Sequence, residues 1–200
     1  ITQAFDWDED EAGDGLHNIT LFDAHCHLQL EPLYGHHDEA IRNAMARGVK
    51  YSAVCSVRPG EDWQRVKALH EAYPEFVRPQ FGLHPWWIKR YLDEQIRIFR
   101  SVDRCVTCDS ASEPFVPYAS LKAELTSILS DIPGAGVGEC GLDKNTCKDV
   151  PIDVQKRVMA LHVEVAAERK RPLTLHCVGA WGSLLEVLEE QALKRSFPSA

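Results

Sequence analysis

Ile19-Thr20-Leu21-Phe22-Asp23-Ala24-His25-Cys26-His27 is the stretch that decides the fold. A short, mostly apolar β-forming run leads into an acid and two histidines spaced two apart. In a strand, alternate side chains share a face, so Asp23, His25 and His27 are expected to point together, with Ala24, Cys26 and Leu28 opposite. Three polar groups converging from an apolar strand are costly in a dry core. A cation removes that cost, because neutral imidazole nitrogens are good ligands for zinc-like metals, and Asp23 is then placed to orient one ring. The pattern is short, and it also fits surface histidines in a loop.

Outward from this stretch, strands alternate with helices. The pattern predicts a helix over 37–47, a strand over 49–57, a helix over 61–73 and a strand over 76–83 interrupted by Pro79. A helix over 92–102 follows, then an insertion over 103–118 without a steady period, and a helix over 119–129. A strand over 135–140 precedes a helix in which Val154, Val158, Leu161 and Val165 recur at helical spacing. A strand over 173–175 and a helix over 180–193 complete the series.

Such alternation implies parallel strands joined by helical crossovers, in an open doubly wound sheet or a closed barrel. No GxGxxG or P-loop follows the first strand, which disfavours a dinucleotide-binding sheet. His25, His27, His84, Glu139 and His176 instead fall at the ends of different predicted strands, where an eight-stranded barrel gathers its catalytic groups. The expected fold is therefore α/β, a TIM-type (β/α) barrel that is incomplete, with about five of eight β/α units. On this reading residues 19–200 are part of a barrel domain and the chain is a fragment of a longer protein.

Residues 1–18 carry Asp6, Asp8, Glu9, Asp10, Glu11 and Asp14 with no Lys or Arg, and account for most of the net charge of −8. They read as a solvated, disordered acidic tail. No basic stripe of the nucleic-acid-binding kind is visible, so cations would have to do much of the charge neutralisation on a phosphate substrate. No run is long and apolar enough for a membrane span, and no signal peptide is recognisable, although a trimmed start could have removed one. Seven scattered cysteines suit buried thiols in a reducing compartment, which points to the cytoplasm or the nucleus rather than secretion. Cys105 and Cys108 have zinc-like spacing but lack a second pair, and read as a surface loop.

Three further segments bear polar groups at strand ends. Gly138-Glu139-Cys140-Gly141-Leu142-Asp143 offers Glu139 as a carboxylate able to bridge two cations and Asp143 as its support or a substrate contact; a Gly-rich turn with solvated acids is the plainer alternative. His176 ends an apolar run, and His84 lies in Gly82-Leu83-His84-Pro85, a turn or a group reaching the substrate. Trp86 and Trp87 could form an apolar wall or a stacking surface for a base. His17, His36, His37, His70 and His162 are assigned to the tail or to helix surfaces.

Taken in order, DxHxH, GxHP, GECGLD and the later strand-end histidine resemble the TatD family of metal-dependent hydrolases and deoxyribonucleases, over about residues 21–188. The wording FDAHCHLQL and FGLHPWW is similar to a fungal branch of it. The resemblance implies a metallo-dependent hydrolase barrel that cleaves phosphodiesters with one or two divalent ions (Mg²⁺, Zn²⁺ or Mn²⁺). It also implies roles: His25 and His27 on a first metal, Glu139 bridging to a second, His176 on the second, His84 holding phosphate, and Glu139 with Asp143 as catalytic groups. DNA or another phosphoester is the implied substrate, with a protein partner as a further expectation. The family's later His and late Asp have no match in these residues. Val178 stands where the family commonly has Arg, and Lys144 where an aromatic is common, which bears on nuclease specificity. Two rivals stay open: a non-catalytic scaffold for protein interaction, and an amidohydrolase. The latter class commonly has a bridging lysine where this chain has Glu139.

Overall fold

The computed structural model describes residues 20–102 and 116–194. The acidic segment 1–18, His17, Cys105 and Cys108, and residues 103–115 of the expected insertion lie outside the described residues. Five strands form one sheet in the order β1-β2-β3-β4-β5, and every neighbouring pair is parallel. The strands are β1 (Leu21–Cys26), β2 (Val49–Cys55), β3 (Val77–Phe81), β4 (Gly136–Asp143) and β5 (Leu173–Val178). The helices are α1 (His37–Ala46), α2 (Glu61–Ala72), α3 (Ile88–Val102), α4 (Val116–Asp131), α5 (Ile152–Arg169) and α6 (Trp181–Leu193). A doubly wound sheet reverses its strand order partway; this one advances by one neighbour at each crossover, the winding of a β/α barrel.

Burial follows position in the sheet. All eight residues of β4 are buried, whereas β1, at one edge, is exposed along most of its length and β5, at the other, is half-buried throughout. Pro79 does not break β3. It pairs with Val54 of β2, and the pairing with β4 starts one residue later, at Gln80↔Gly136. The ladder toward β2 is carried by its neighbours, with Ser52 N–H donating to Phe76 O and Ser56 N–H to Gln80 O. Val116, Pro117 and Tyr118, read from sequence as insertion, open α4, where a proline is tolerated because the first-turn N–H groups have no helical acceptor.

The core lies between sheet and helices. Val158 and Val165 of α5, fully buried as their spacing predicts, each contribute about 1.5–3 kcal/mol by leaving water. A second stripe on α5, Met159 and Val163, packs with Leu142, Leu184 and Val187, so the helix is covered on two faces. His162 between them is not on a helix surface, as expected, but 0% exposed. Its burial is tolerable because both ring nitrogens are paired: Nδ1 donates to Val158 O (2.7 Å), and Nε2 accepts from Leu83 N–H (3.0 Å). His70 is also partly buried, with Nδ1 against Val77 O (3.0 Å). Cys26, Cys55, Cys140, Cys147 and Cys177 are free thiols, and burial pushes Cys55 up to about 12. No helix among the described residues is long and apolar enough to cross a membrane.

Candidate metal centre

Two irregularities in the sheet shape the site. In β1, Asp23 pairs with Ser52 and Cys26 with Val54, so three steps on β1 match two on β2. In β4, Val137 pairs with Leu173 and Cys140 with Leu175, the same mismatch. Each is a bulge that adds a residue and re-aims the side chains around it. The bulge in β1 breaks the expected alternation. Asp23 and Cys26 now lie on one side, both bonded to Ser52: Ser52 Oγ donates to Asp23 Oδ2 (3.1 Å), and Cys26 Sγ is 3.0 Å from Ser52 Oγ. His25 and His27 face the other way. Asp23 therefore orients neither imidazole; its Oδ1 accepts the His25 backbone N–H (3.2 Å).

His27 is instead set by a backbone carbonyl. Its Nδ1 lies 2.7 Å from Cys55 O and must donate there, which leaves the Nε2 lone pair free. That Nε2 lies 3.2 Å from His25 Nε2, and Glu139 Oε2 completes the group at 3.2 Å from His25 and 3.5 Å from His27. Cys55 O also receives Gln29 Nε2 (2.9 Å), which bonds to Asp62 as well (3.1 Å). Asp62 in turn accepts the N–H groups of Val57 (2.7 Å) and Arg58 (3.2 Å). Gln29 and Asp62 thus fix the carbonyl that fixes His27. Neither was singled out from sequence, where only the acids opening α2 hint at them.

The other carboxylate oxygen of Glu139 faces a second group. His176 Nδ1 lies 3.0 Å from Glu139 Oε1, and its Nε2 lies 3.4 Å from Asp143 Oδ2. His84 Nε2 is 3.8 Å from Glu139 Oε1 and 3.1 Å from His176 Nδ1. Two donor sets, His25-His27-Glu139 and His84-Glu139-His176, are each compact enough to hold a metal ion, and Glu139 belongs to both. The tautomer separates His84 from the rest. Its Nδ1 accepts the Trp86 backbone N–H (3.2 Å), so in the neutral ring the proton sits on Nε2, which faces the cluster as a donor.

Local backbone makes this convergence possible. Gly138 and Gly141 adopt φ of 128° and 149°, and a Cβ on either would strike the backbone oxygen of Thr174 or His176. Only glycine lets β4 run so close to β5 while turning Glu139 inward. Asp143 is 0% exposed; its Oδ1 accepts from Asn145 and Thr146 N–H (3.0 and 2.7 Å), and its Oδ2 from the Trp86 indole (2.6 Å). Gln155 clamps the same residue, accepting from Asp143 N–H (2.8 Å) and donating to Asp143 O, Cys147 O and Val150 O. This buried glutamine was also missed from sequence. Glu139 and His176, expected at strand ends, lie inside β4 and β5, which run on to Asp143 and Val178.

The electrostatics follow the contacts. Burial raises the Glu139 carboxyl, but the His176 hydrogen bond and the fields of His84 and His25 together outweigh it and leave it below the ordinary glutamate value. Burial likewise works against ionisation of Asp143, yet the Thr146 N–H, the indole, His176 and the Asn145 N–H bring it down to about 2. Burial brings His84 down to about 4, while the hydrogen bond to Glu139 raises His176. The cluster thus keeps its carboxylates ionised, as cation binding requires, beside a neutral His84 that offers an N–H rather than a lone pair. A groove of about 960 Å³ between α5 and α6 contains none of these residues.

A parallel sheet wound in sequential order, with histidines and carboxylates gathered at the end of β1, after β3, and in β4 and β5, defines a β/α-barrel protein of the metal-handling class. The match of residues 22–197 to the TatD-related DNase model places it further: the chain belongs to the TatD-related DNase family. It is 27% identical to the Cut9-interacting protein scn1 of Schizosaccharomyces pombe, over 90% of this chain and 62% of that protein. It is 25% identical to the 3'-5' ssDNA/RNA exonuclease TatD of Pectobacterium carotovorum, over 84% of this chain and 54% of the enzyme. The crystal structure of YJJV, a TatD homolog from Escherichia coli, superposes with a TM-score of 0.66 at 23% identity, covering 87% of this chain and 57% of that one. The chain spans about half to three-fifths of the length of the curated relatives it matches.

Proposed function

We propose that this protein is a metal-dependent phosphodiesterase of the nuclease type, acting on single-stranded DNA. The observation that carries the reading is Glu139: one carboxylate offers an oxygen to each of two donor sets. His25, His27 and Glu139 would hold one cation, and Glu139 with His176 a second. The chemistry such cations supply when bound is charge neutralisation at a phosphate and activation of water at neutral pH. The chain's own residues do the rest. Asp143 steadies the His176 ring, Cys55 O steadies His27, and neutral His84 presents Nε2–H to a phosphate oxygen. The family name and the printed activity of the Pectobacterium relative support a nucleic-acid substrate. The free thiols are in keeping with work in the cytoplasm or nucleus.

The test is cleavage of a labelled single-stranded oligonucleotide by the purified protein with Mg²⁺, Mn²⁺ or Zn²⁺, with bound metal measured in parallel. Cleavage that EDTA abolishes, together with metal lost in the double variant His25→Ala/His27→Ala, is expected. No cleavage with any ion and unchanged metal content in the double variant would overturn the reading. A second reading, a non-catalytic scaffold that binds a protein, is favoured by Val178 two residues past His176 and by the name of the fission-yeast relative. It predicts a folded protein that binds a partner and cleaves nothing.

A further inference from the structure

Three tryptophans near the site are used differently. Trp63 is 4% exposed, donates its indole N–H to Gly82 O (3.0 Å) and packs against Phe81: a core residue. Trp87 packs partly against the same core and is covered by the Arg58 guanidinium, 4.4 Å from its ring centre. Trp86 is 55% exposed. Yet it is held at both ends, by its backbone N–H on His84 Nδ1 and by its indole N–H on Asp143 Oδ2. Its ring centre lies 4.8 Å from that of His84 and 6.3 Å from that of His176. An exposed indole is unremarkable when it is free to move. One fixed by a short bond to a buried carboxylate, in edge contact with two histidines of the cluster, is a preset flat surface.

The ground around it narrows what that surface could meet. The adjoining groove, about 400 Å³, sets Lys89, Arg90 and Arg97 against Asp93, Glu94 and Asp149. Lys89 is paired with Asp93 and Arg90 with Glu94, each at 3.0 Å. With Lys89 and Arg90 paired, and three acids facing three bases, this groove has no excess of positive charge to track a phosphate backbone. An aromatic face held beside a phosphate-handling cluster, in surroundings without a basic excess, suits an unstacked nucleobase, which brings its own flat apolar face.

We propose that Trp86 is the stacking residue for a nucleobase next to the phosphate held at the cluster. This rests on the phosphodiesterase reading for the phosphate but is tested independently of cleavage. Binding of a fluorescein-labelled single-stranded oligonucleotide, and of an abasic oligonucleotide with the same backbone, is measured by anisotropy with Ca²⁺ as the cation. Cleavage is followed separately with Mn²⁺.

Trp86→Ala is expected to weaken binding of the intact oligonucleotide about tenfold or more and to leave the abasic one unchanged. Trp86→Phe, which keeps a ring but loses the indole N–H, should remain within about threefold of the parent. Raising salt from about 50 to 200 mM should cost less than tenfold, against the 10³–10⁵ of proteins that bind mainly through phosphates. Three results would each overturn the proposal: equal affinity of Trp86→Ala and parent for the intact strand, equal losses on both strands, or no binding by the parent. If Trp86→Ala discriminates the strands as expected but the parent cleaves neither, the stacking assignment stands and the hydrolase reading falls. Cleavage that is indifferent to Trp86, with equal binding, gives the reverse.

Discussion

The two halves of the cluster are built to different standards. On the β1 side, only His27 has a ring nitrogen bonded to the backbone, at Cys55 O. On the β4–β5 side, Glu139, Asp143 and His176 are 9%, 0% and 15% exposed and bonded to one another, with Gln155 and two backbone N–H groups behind Asp143. The difference teaches where the site is preorganised. The β4–β5 half is fixed by the protein's own hydrogen bonds, while the β1 half gathers His25 Nε2, His27 Nε2 and Glu139 Oε2 with less support behind them and gains most from a cation that draws them together.

Glu139 joins the halves, so its loss should erase the contrast. Glu139→Gln is expected to lower activity by well over the 10–100-fold that removal of an outer partner costs, and to remove metal from both sets, as read by metal analysis beside kcat/KM. Metal retained at the parent's level would contradict the shared-ligand assignment. Asp62→Ala would loosen the β1 side from behind. It strands the Val57 and Arg58 N–H groups and frees Gln29, so a stability loss of about 2–4 kcal/mol is expected by urea titration. A loss under about 0.5 kcal/mol, the range of ordinary surface changes, would show that the network behind His27 is not needed.

The pH dependence of stability sharpens the comparison on the buried side. His162, whose Nε2 accepts the Leu83 N–H, is lowered by burial to about 4 from its ordinary 6.5. Between those values the unfolded chain holds a proton that the native one does not. The contribution is therefore complete above pH 6.5 and is lost as pH falls toward 4, by about 3 kcal/mol in all. Replacement by Gln should flatten that part of the stability curve relative to the parent; parallel curves would place the titration elsewhere. The smallest effect is expected from Asp143→Asn, which keeps the side-chain shape but weakens the hold on His176. Activity should fall about 10–100-fold, with a measurable loss of thermal stability, because the new NH2 must face either the indole N–H or the Asn145 and Thr146 N–H groups. A fall as large as that of Glu139→Gln would mean that the β4–β5 half is not preorganised in the way its contacts imply.

Much of this was legible in the sequence because it rests on local periodicity. The alternation of strands and helices, the stripe of Val154, Val158, Leu161 and Val165, and the polar groups punctuating apolar runs each need only a few neighbouring residues to be read. The four histidines and Glu139 do come together. What escaped has a common cause: it depends on contacts between distant segments. Asp23 was read onto the histidine face because alternation is the default, and only the pairing of β1 with β2 shows the bulge that turns it away. His162 was read as surface because its own helix suggests one buried stripe, whereas packing covers two.

By itself, then, the sequence determined the class of fold, the order of its elements and the kinds of groups offered at the strand ends, since these follow from residue spacing along one chain. Only the tertiary structure decided which face each group serves, which nitrogen of His27 is left toward the cluster, and that Trp86 is held on Asp143 rather than buried. Those outcomes are set by bulges, shared carbonyls and hydrogen bonds across 28 to 57 residues of intervening chain, which no local pattern records.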